Sequence, residues 1–168
     1  MGVWAVMGDY DYSNSRNSCL FCHEQGTGNP TKRHKVHFLK NSGERVSLSE
    51  GHIWIVGLDR EIEEELKSEE ILNPLGSNEP IIVLSHSPLA FDSISDNRQV
   101  LVLSGDTHGG QIPLPSWLWR ILGYDKCARY NQGFFIKGMK KMYVNRGIGT
   151  SHIPFRFFRR PEITILHF

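Results

Sequence analysis

The 168-residue chain has an ordinary globular composition, with 39% hydrophobic and 22% charged residues and a formal net charge of +1. This composition excludes a disordered chain, and the near-zero charge argues against a general nucleic-acid binder, which is normally strongly basic. No run approaches the about 18 apolar residues of a membrane span, and the first residues do not resemble a signal peptide. We therefore expect a single cytoplasmic domain, residues 1–168, with peripheral membrane contact as an open alternative.

Short apolar runs bounded by turn residues predict a series of β-strands. In chain order these are Gly2–Met7, Val36–Leu39, Arg45–Leu48, His52–Gly57, Ile81–Leu84, Val100–Leu103, Phe134–Ile136, Lys141–Asn145 and Glu162–His167. The turn sequence Asn41-Ser42-Gly43-Glu44 predicts that the second and third strands form a hairpin. Because helices and hairpins both connect these strands, we expect an α/β fold with a mixed β-sheet and flanking helices.

Three stretches between the strands have helical character. Asp59 suits the N-cap of a helix that Asn73-Pro74 ends, and its inner face is marked by apolar side chains. These side chains are Ile62, Leu66 and Ile71. Ala90–Asn97 predicts a short helical segment, and Pro113–Gly123 is a Trp-rich amphipathic stretch. Its paired tryptophans suit either a membrane interface or a helix that packs on the core.

Three predicted strands lead directly into side chains that can bind a metal. They continue into Gly8–Asp11, Ser85–Pro88 and Ser104–His108. Ligands at the carboxyl ends of strands meet at one edge of a sheet, so we expect these loops to converge and their strands to share one sheet with His52–Gly57. The candidate metal ligands are Asp9, His86, Asp106 and His108. The alternative is that these side chains only cap loops or face solvent.

The motifs, in this order, resemble those of the calcineurin-like metallophosphoesterases, in the branch of UDP-diacylglucosamine hydrolases and small membrane-associated phosphodiesterases. Gly8-Asp9-Tyr10-Asp11 takes the place of G-N-H-D, His86 that of a strand-end His, and Gly105-Asp106-Thr107-His108 that of G-H-x-H. The downstream segments 129–133, 144–151 and 161–165 resemble that branch as well. The resemblance implies a metallophosphoesterase-like sandwich, a site for divalent ions (Mn, Fe, Mg or Zn) and hydrolysis of a phosphoester, pyrophosphate or lipid-linked phosphate. It also implies that Asp9, His86, Asp106 and His108 bind metal and that Tyr10 and Asp11 are catalytic.

The chain departs from the family pattern at several positions. D-x-H and G-D-x-x-D are absent, so we expect a domain that lacks its N-terminal strands and is impaired as an enzyme. Asp9 stands where the family has Asn, Tyr10 where it has a catalytic His, and Asp106 where it has His. Additional carboxylates favour Mn, Mg or Fe(II) over Zn, although His still permits Zn. A non-catalytic metal-binding or interaction domain that kept the scaffold therefore stays open as an alternative.

A Cys/His-containing insert, residues 13–37, carries a second candidate site. Cys19-Leu20-Phe21-Cys22-His23 has the C-x-x-C-H pattern of covalent haem c attachment. With His34 and His37 the same residues have spacing typical of a small zinc site. Reduced thiols without a metal are the third interpretation, because three cysteines do not indicate a disulfide framework. A redox, haem or zinc module centred on this insert is thus a further alternative function.

Overall fold

The computed structural model describes residues 2–9, 11, 36–59, 65–75, 79–95, 97–151 and 154–167. The strands in these ranges are β1 (Val3–Ala5), β2 (Val36–Phe38), β3 (Ser42–Leu48), β4 (Gly51–Leu58), β5 (Ile81–Ser85), β6 (Val100–Ser104), β7 (Gly133–Lys137) and β8 (Lys140–Val144). The helices are α1 (Glu65–Leu72), α2 (Ser116–Ile121) and α3 (Asp125–Arg129). Single 3₁₀ turns follow at Asn73–Leu75, Pro88–Phe91 and His108–Gly110.

Six strands form the main sheet, in the order β3-β4-β5-β6-β8-β7. The inner pairs β4–β5, β5–β6 and β6–β8 are parallel, whereas β3–β4 and β7–β8 are antiparallel. The predicted α/β class with a mixed sheet is therefore confirmed. Because β5 and β6 are parallel neighbours, the loops that follow them leave the sheet at the same edge.

The first strand does not belong to this sheet, so the prediction that it does is wrong. β1 pairs in parallel with β2 in a separate two-stranded sheet. Both edges of β4 are already occupied by β3 and β5, which leaves no partner groups for β1. The small sheet instead packs against β4 at Gly57, where an added Cβ would lie 2.3 Å from Cβ of Leu39 and 2.9 Å from Cγ1 of Val6.

The hairpin predicted at Asn41–Glu44 is also wrong. β3 already begins at Ser42 and pairs antiparallel with β4, so β2 and β3 are not partners. Leu48 lies opposite Gly51, and the chain reverses over the two residues between them. Gly51 has a φ of +134°, which favours glycine. The long ladder with β4 outweighs the local turn preference of the Ser-Gly sequence, because strand propensity depends strongly on context.

Two further local predictions need correction. The described residues of the predicted helical segment Ala90–Asn97 contain only the end of one 3₁₀ turn, Pro88–Phe91, which Ser87 caps. The predicted strand Glu162–His167 belongs to none of the strands in the described part of the chain. Its Glu162 is nevertheless held, since Oε2 pairs with Arg146 Nε at 2.5 Å. Side-chain contacts replace the strand pairing that the alternating sequence predicts.

The end of α1 agrees with the prediction, because the helix ends at Leu72 and a 3₁₀ turn begins at Asn73. Residues 60–64 and the side chain of Leu66 lie outside the described part of the chain, so the predicted N-cap at Asp59 and the predicted inner-face residues Ile62 and Leu66 stay predictions. Ile71 is partly buried against the core. The helices of the described ranges are all too short or too polar to cross a bilayer.

The core lies on one face of the main sheet. Alternate residues of β5, β6 and β8 point into it, as period-two strands require. Its fully or nearly fully buried side chains are Val56, Leu58, Leu72, Ile81, Val83, Ala90, Phe91, Ile94, Val100, Val102, Tyr130, Met142 and Val144. Lys140 is buried on the same face and donates to the carbonyl oxygen of Phe91 at 2.6 Å. The loops at the strand ends therefore extend from strands whose inner side chains are buried in this core.

Candidate metal centre

Three candidate ligands converge at the carboxyl edge of the main sheet. His86 follows β5, Asp106 follows β6, and Asp9 lies in the loop after β1. One ligand atom from each lies within 4.8 Å of the other two. His86 Nε2 is 3.7 Å from Asp9 Oδ2 and 3.3 Å from Asp106 Oδ1. We refer to Asp9, His86 and Asp106 as the strand-end cluster.

His86 is held by the end of the neighbouring strand. Its carbonyl oxygen accepts hydrogen bonds from Ser104 Oγ at 3.0 Å and from the Gly105 N–H at 3.3 Å. On its other side the ring lies against Gly8, where an added Cβ would be 3.0 Å from Cε1. Backbone bonds from one loop and close packing from another therefore fix the position of the imidazole.

Asp106 is the most enclosed member of the strand-end cluster. Its side chain is 15% exposed, against 43% for Asp9. Its backbone has a φ of +68°, a left-handed conformation that Asp tolerates better than most residues. The next residue, Thr107, anchors the loop by donating from Oγ1 to the Asn131 carbonyl at 2.6 Å. The Asp106 carboxylate also accepts a hydrogen bond from Lys126 Nζ at 2.6 Å.

The charges of the cluster shift its protonation equilibria. Burial alone would raise the pKa of Asp106, but hydrogen bonds from His86 and Lys126 outweigh it and lower this pKa to about 2. Burial alone would lower the pKa of His86, but the hydrogen bond and charge of Asp106 and the charge of Asp9 raise it. Asp106 is therefore ionised at neutral pH and available as an anionic ligand.

Asp11 closes the loop that carries Asp9. Its Oδ2 accepts from the Gly8 N–H at 2.7 Å, and its own N–H donates to the Gly8 carbonyl at 3.1 Å. This tight turn fixes where the Asp9 side chain leaves the backbone. Tyr10 lies outside the described residues, so the catalytic role predicted for Tyr10 and Asp11 stays a prediction.

His108 does not join the strand-end cluster. It has a φ of +51°, and its Nδ1 lies 3.2 Å from the Gly149 carbonyl oxygen and 3.4 Å from Arg156 Nη2. Burial and the charge of Arg156 lower its pKa, although the contact with Gly149 opposes them. His108 lines the same cavity as the cluster, so its predicted part in metal binding stays a prediction.

A cavity of about 830 Å³ opens beside the strand-end cluster. Its polar lining includes the strand-end cluster and Lys126, and also His108, Gln111 and Asp125. The rest of its wall is largely apolar and includes Leu89, Ile112, Leu114, Trp119 and Leu122. A cavity with a largely apolar wall and a small number of polar and charged groups is typical of a small-molecule binding site.

The second candidate site falls mostly outside the described residues, which include none of Cys19, Cys22, His23 and His34. His37 is described and lies on β2. Its Nδ1 is 2.9 Å from Glu44 Oε2, and its ring lies 5.4 Å from that of Trp4. The zinc, haem and metal-free interpretations of residues 13–37 all stay predictions.

Two residues that act on the cluster, Ser104 and Lys126, are not among the candidates that the motifs indicate. Ser104 holds the His86 backbone, and its position at a strand end next to Gly105 was a usable signal. Lys126 has no such signal, because it lies on α3 and reaches Asp106 only through the folding of the chain.

The chemistry of the strand-end cluster fits a divalent cation. Two carboxylate groups and one imidazole, each able to turn one atom toward a common point, form a mixed oxygen and nitrogen donor set. Such a set suits Mn, Fe, Mg or Zn, with other coordination positions left for water or substrate. The partial exposure of Asp9 keeps one side of the cluster accessible.

No family model and no solved structure match the chain. Among curated proteins, the uncharacterized metallophosphoesterase YkuE of Bacillus subtilis is 38% identical over 127 residues, or 75% of this chain and 44% of YkuE. The metallophosphoesterase YkoQ of the same organism is 27% identical over 173 residues, or 97% of this chain and 58% of YkoQ. The UDP-2,3-diacylglucosamine pyrophosphatase LpxG of Chlamydia muridarum is 30% identical over 140 residues, or 79% of this chain and 42% of LpxG.

The chain spans about half the length of the curated relatives it matches. YkuE and YkoQ are named metallophosphoesterases, and the residues of the strand-end cluster occupy the motif positions that carry the resemblance. These matches support the calcineurin-like metallophosphoesterase family that the motifs of the chain indicate.

Proposed function

We propose that the protein hydrolyses a phosphoester or pyrophosphate bond with a divalent cation held by Asp9, His86 and Asp106. The observation that carries this proposal is the convergence of two carboxylates and an imidazole at the sheet edge, beside a cavity large enough for a substrate. Similarity to proteins that bear the names phosphodiesterase and pyrophosphatase supports the reaction class.

We propose different roles for the residues of the site. A divalent cation bound there would polarise the phosphoryl group and lower the pKa of a bound water. Asp9, His86 and Asp106 would hold that cation. His108 borders the same cavity and is proposed to bind the metal as well, and Tyr10 and Asp11 are proposed to be catalytic.

We propose slow turnover. The described residues bring together one cluster of three metal-binding side chains. A single cation stabilises the attacking and leaving oxygens less well than a pair of cations does. Tyr10 is also a weak proton donor near neutral pH compared with His. A chain that binds the cation without turnover would correspond to the alternative of a non-catalytic metal-binding domain.

The substrate is proposed to be a lipid-linked phosphate. The apolar wall next to the strand-end cluster offers a surface for an acyl chain, and the name of LpxG describes a pyrophosphatase that acts on a diacylated sugar nucleotide. α2 also exposes Trp117 (61%) and Ile121 (73%) to solvent, which supports peripheral contact with a membrane. A cytoplasmic location stays a prediction.

The test combines metal binding and turnover in the purified chain. Isothermal titration with Mn²⁺ and hydrolysis of bis-p-nitrophenyl phosphate are measured for the wild type, His86→Ala and the control His52→Ala. His52 is an exposed histidine on β4, away from the cluster. We expect Mn²⁺-dependent turnover that His86→Ala abolishes and Mn²⁺ binding that His86→Ala weakens strongly, whereas His52→Ala keeps both. Mn²⁺ binding unaffected by His86→Ala would contradict the site, and Mn²⁺ binding without turnover would favour the non-catalytic alternative.

A further inference from the structure

Lys126 contacts one oxygen of the Asp106 carboxylate, and the other oxygen faces the proposed metal position. Asp106 Oδ1 faces His86 Nε2 at 3.3 Å, whereas Oδ2 accepts a hydrogen bond from Lys126 Nζ at 2.6 Å. The Lys126 side chain is 34% exposed and lines the same cavity as the strand-end cluster. The ammonium group therefore lies on the far side of a ligand carboxylate and next to the space that a substrate would enter.

The position of Lys126 is well defined by its surroundings. It lies in the first turn of α3, and the Tyr130 N–H donates to the Lys126 carbonyl oxygen at 2.8 Å. Tyr130 is itself a buried member of the core. Asp106 is fixed by its own loop. The ion pair thus joins two anchored backbone segments and does not depend on a long flexible surface contact.

Two opposite electrostatic effects follow from this position. A positive charge a few ångströms from a divalent cation repels it and draws electron density from the shared carboxylate, so it weakens metal binding. The same charge attracts an anion that enters the cavity, where two ligand carboxylates would otherwise repel a phosphate. One ammonium group therefore lowers the affinity for the cation while it raises the affinity for the phosphoryl group.

We propose that Lys126 is a positioning residue that balances the charge of the site, restraining cation affinity at Asp106 so that the loaded site still attracts a phosphate anion. This inference rests on the proposed function, because it concerns the same cluster. Its signature is a change of opposite sign in two binding constants. A residue that only stabilises the local fold would change both constants in the same direction.

The experiment measures both constants on the full chain by isothermal titration, first with Mn²⁺ and then with inorganic phosphate on the Mn²⁺-loaded protein. Lys126→Met removes the charge and keeps the side-chain length, whereas Lys126→Arg keeps the charge. Lys141→Met is the matched control, because Lys141 is an exposed lysine on β8 and its loss changes the net charge equally. Thermal unfolding without metal verifies that every variant is folded.

We expect Lys126→Met to bind Mn²⁺ about tenfold more tightly and phosphate about fivefold more weakly than the wild type. Lys126→Arg and Lys141→Met should stay within about twofold of the wild type for both ligands. Weaker Mn²⁺ binding in Lys126→Met, or equal constants in Lys126→Met and the wild type, would overturn the role of Lys126 alone. Failure of the wild type to bind Mn²⁺ would overturn the proposed function together with this inference.

Discussion

Gly8 packs directly against the imidazole of His86, so that an added Cβ would lie 3.0 Å from Cε1 and 3.1 Å from Nδ1 of the ring. The contact joins the loop after β1 to the end of β5, two segments that belong to different sheets. The position of Asp9, the next residue, is therefore coupled to that of His86. The strand-end cluster depends on how the small sheet packs on the large one.

We expect Gly8→Ala to weaken Mn²⁺ binding by about tenfold, because the new methyl group displaces either the His86 ring or the loop that carries Asp9. Isothermal titration measures the effect. Gly105→Ala is the control, since a Cβ added at that position would have no atom within 4 Å apart from its own residue and its two chain neighbours, although it lies next to Asp106. Equal Mn²⁺ affinity in the two variants would show that the close contact at Gly8 does not position the ligands.

Mn²⁺ affinity should fall as the pH is lowered. Burial alone would lower the pKa of His86, but Asp106 and Asp9 raise it above its ordinary value of 6.5. A metal needs the neutral imidazole, so protons begin to compete with Mn²⁺ already above that value. Titrations across about pH 5 to 8 measure the loss. In His86→Ala the remaining binding should lose this dependence, and an unchanged profile in that variant would contradict the assignment.

The packing of the two sheets can be tested at Gly57. A Cβ there would lie 2.3 Å from Cβ and 2.8 Å from the carbonyl oxygen of Leu39, and backbone atoms cannot move aside cheaply. We expect Gly57→Ala to lower the free energy of unfolding by about 1–3 kcal/mol, as overpacking does. Urea denaturation provides the measurement. Gly43→Ala serves as the control, because its nearest neighbour is a Val56 methyl group at 3.3 Å; an equal loss there would argue against specific packing at Gly57.

Asp92 should stabilise the fold at neutral pH and lose this effect in acid. It accepts hydrogen bonds from Lys137 Nζ at 2.5 Å and the Tyr130 hydroxyl at 2.6 Å, and it pairs with Arg129. Burial alone would raise its pKa, but these partners lower the pKa below the ordinary value of 3.8. A depressed carboxyl pKa contributes stability above the unfolded value, and this contribution disappears as the pH falls through the folded value.

Asp92→Asn should therefore lower the free energy of unfolding by about 1–3 kcal/mol at neutral pH. The difference from the wild type should shrink below about pH 4, where the unfolded carboxyl group is protonated. Chemical denaturation at several pH values measures it. Asp125→Asn is the control, because its side chain is 56% exposed and pairs with Arg129 at 3.6 Å. A constant difference across the whole pH range would contradict the role of the Asp92 charge.

The local sequence was sufficient where one strand and its next few residues decide the outcome. The apolar runs of β5 and β6 and their polar ends predict both strands, and β4, β7 and β8 also lie where apolar runs predict them. The motif order indicated the family, since each motif is a contiguous stretch at the end of a strand. These same stretches predict Asp9, His86 and Asp106 as metal ligands.

The sequence alone did not decide which strands become neighbours. The sequence of β1 is typical of a buried strand, yet β1 pairs with β2 because β3 and β5 already flank β4. The turn that the Ser-Gly sequence predicts does not form, because these residues pair with β4 in the β3–β4 ladder. Likewise no local pattern connects Lys126 with Asp106 or separates His108 from the strand-end cluster. The positions of most strands and the polar residues that follow them depend on short stretches of sequence, so the sequence alone determined them. Pairing, the packing of one sheet on the other and the charge beside the cluster depend on residues far apart in the chain, so only the tertiary structure decided them.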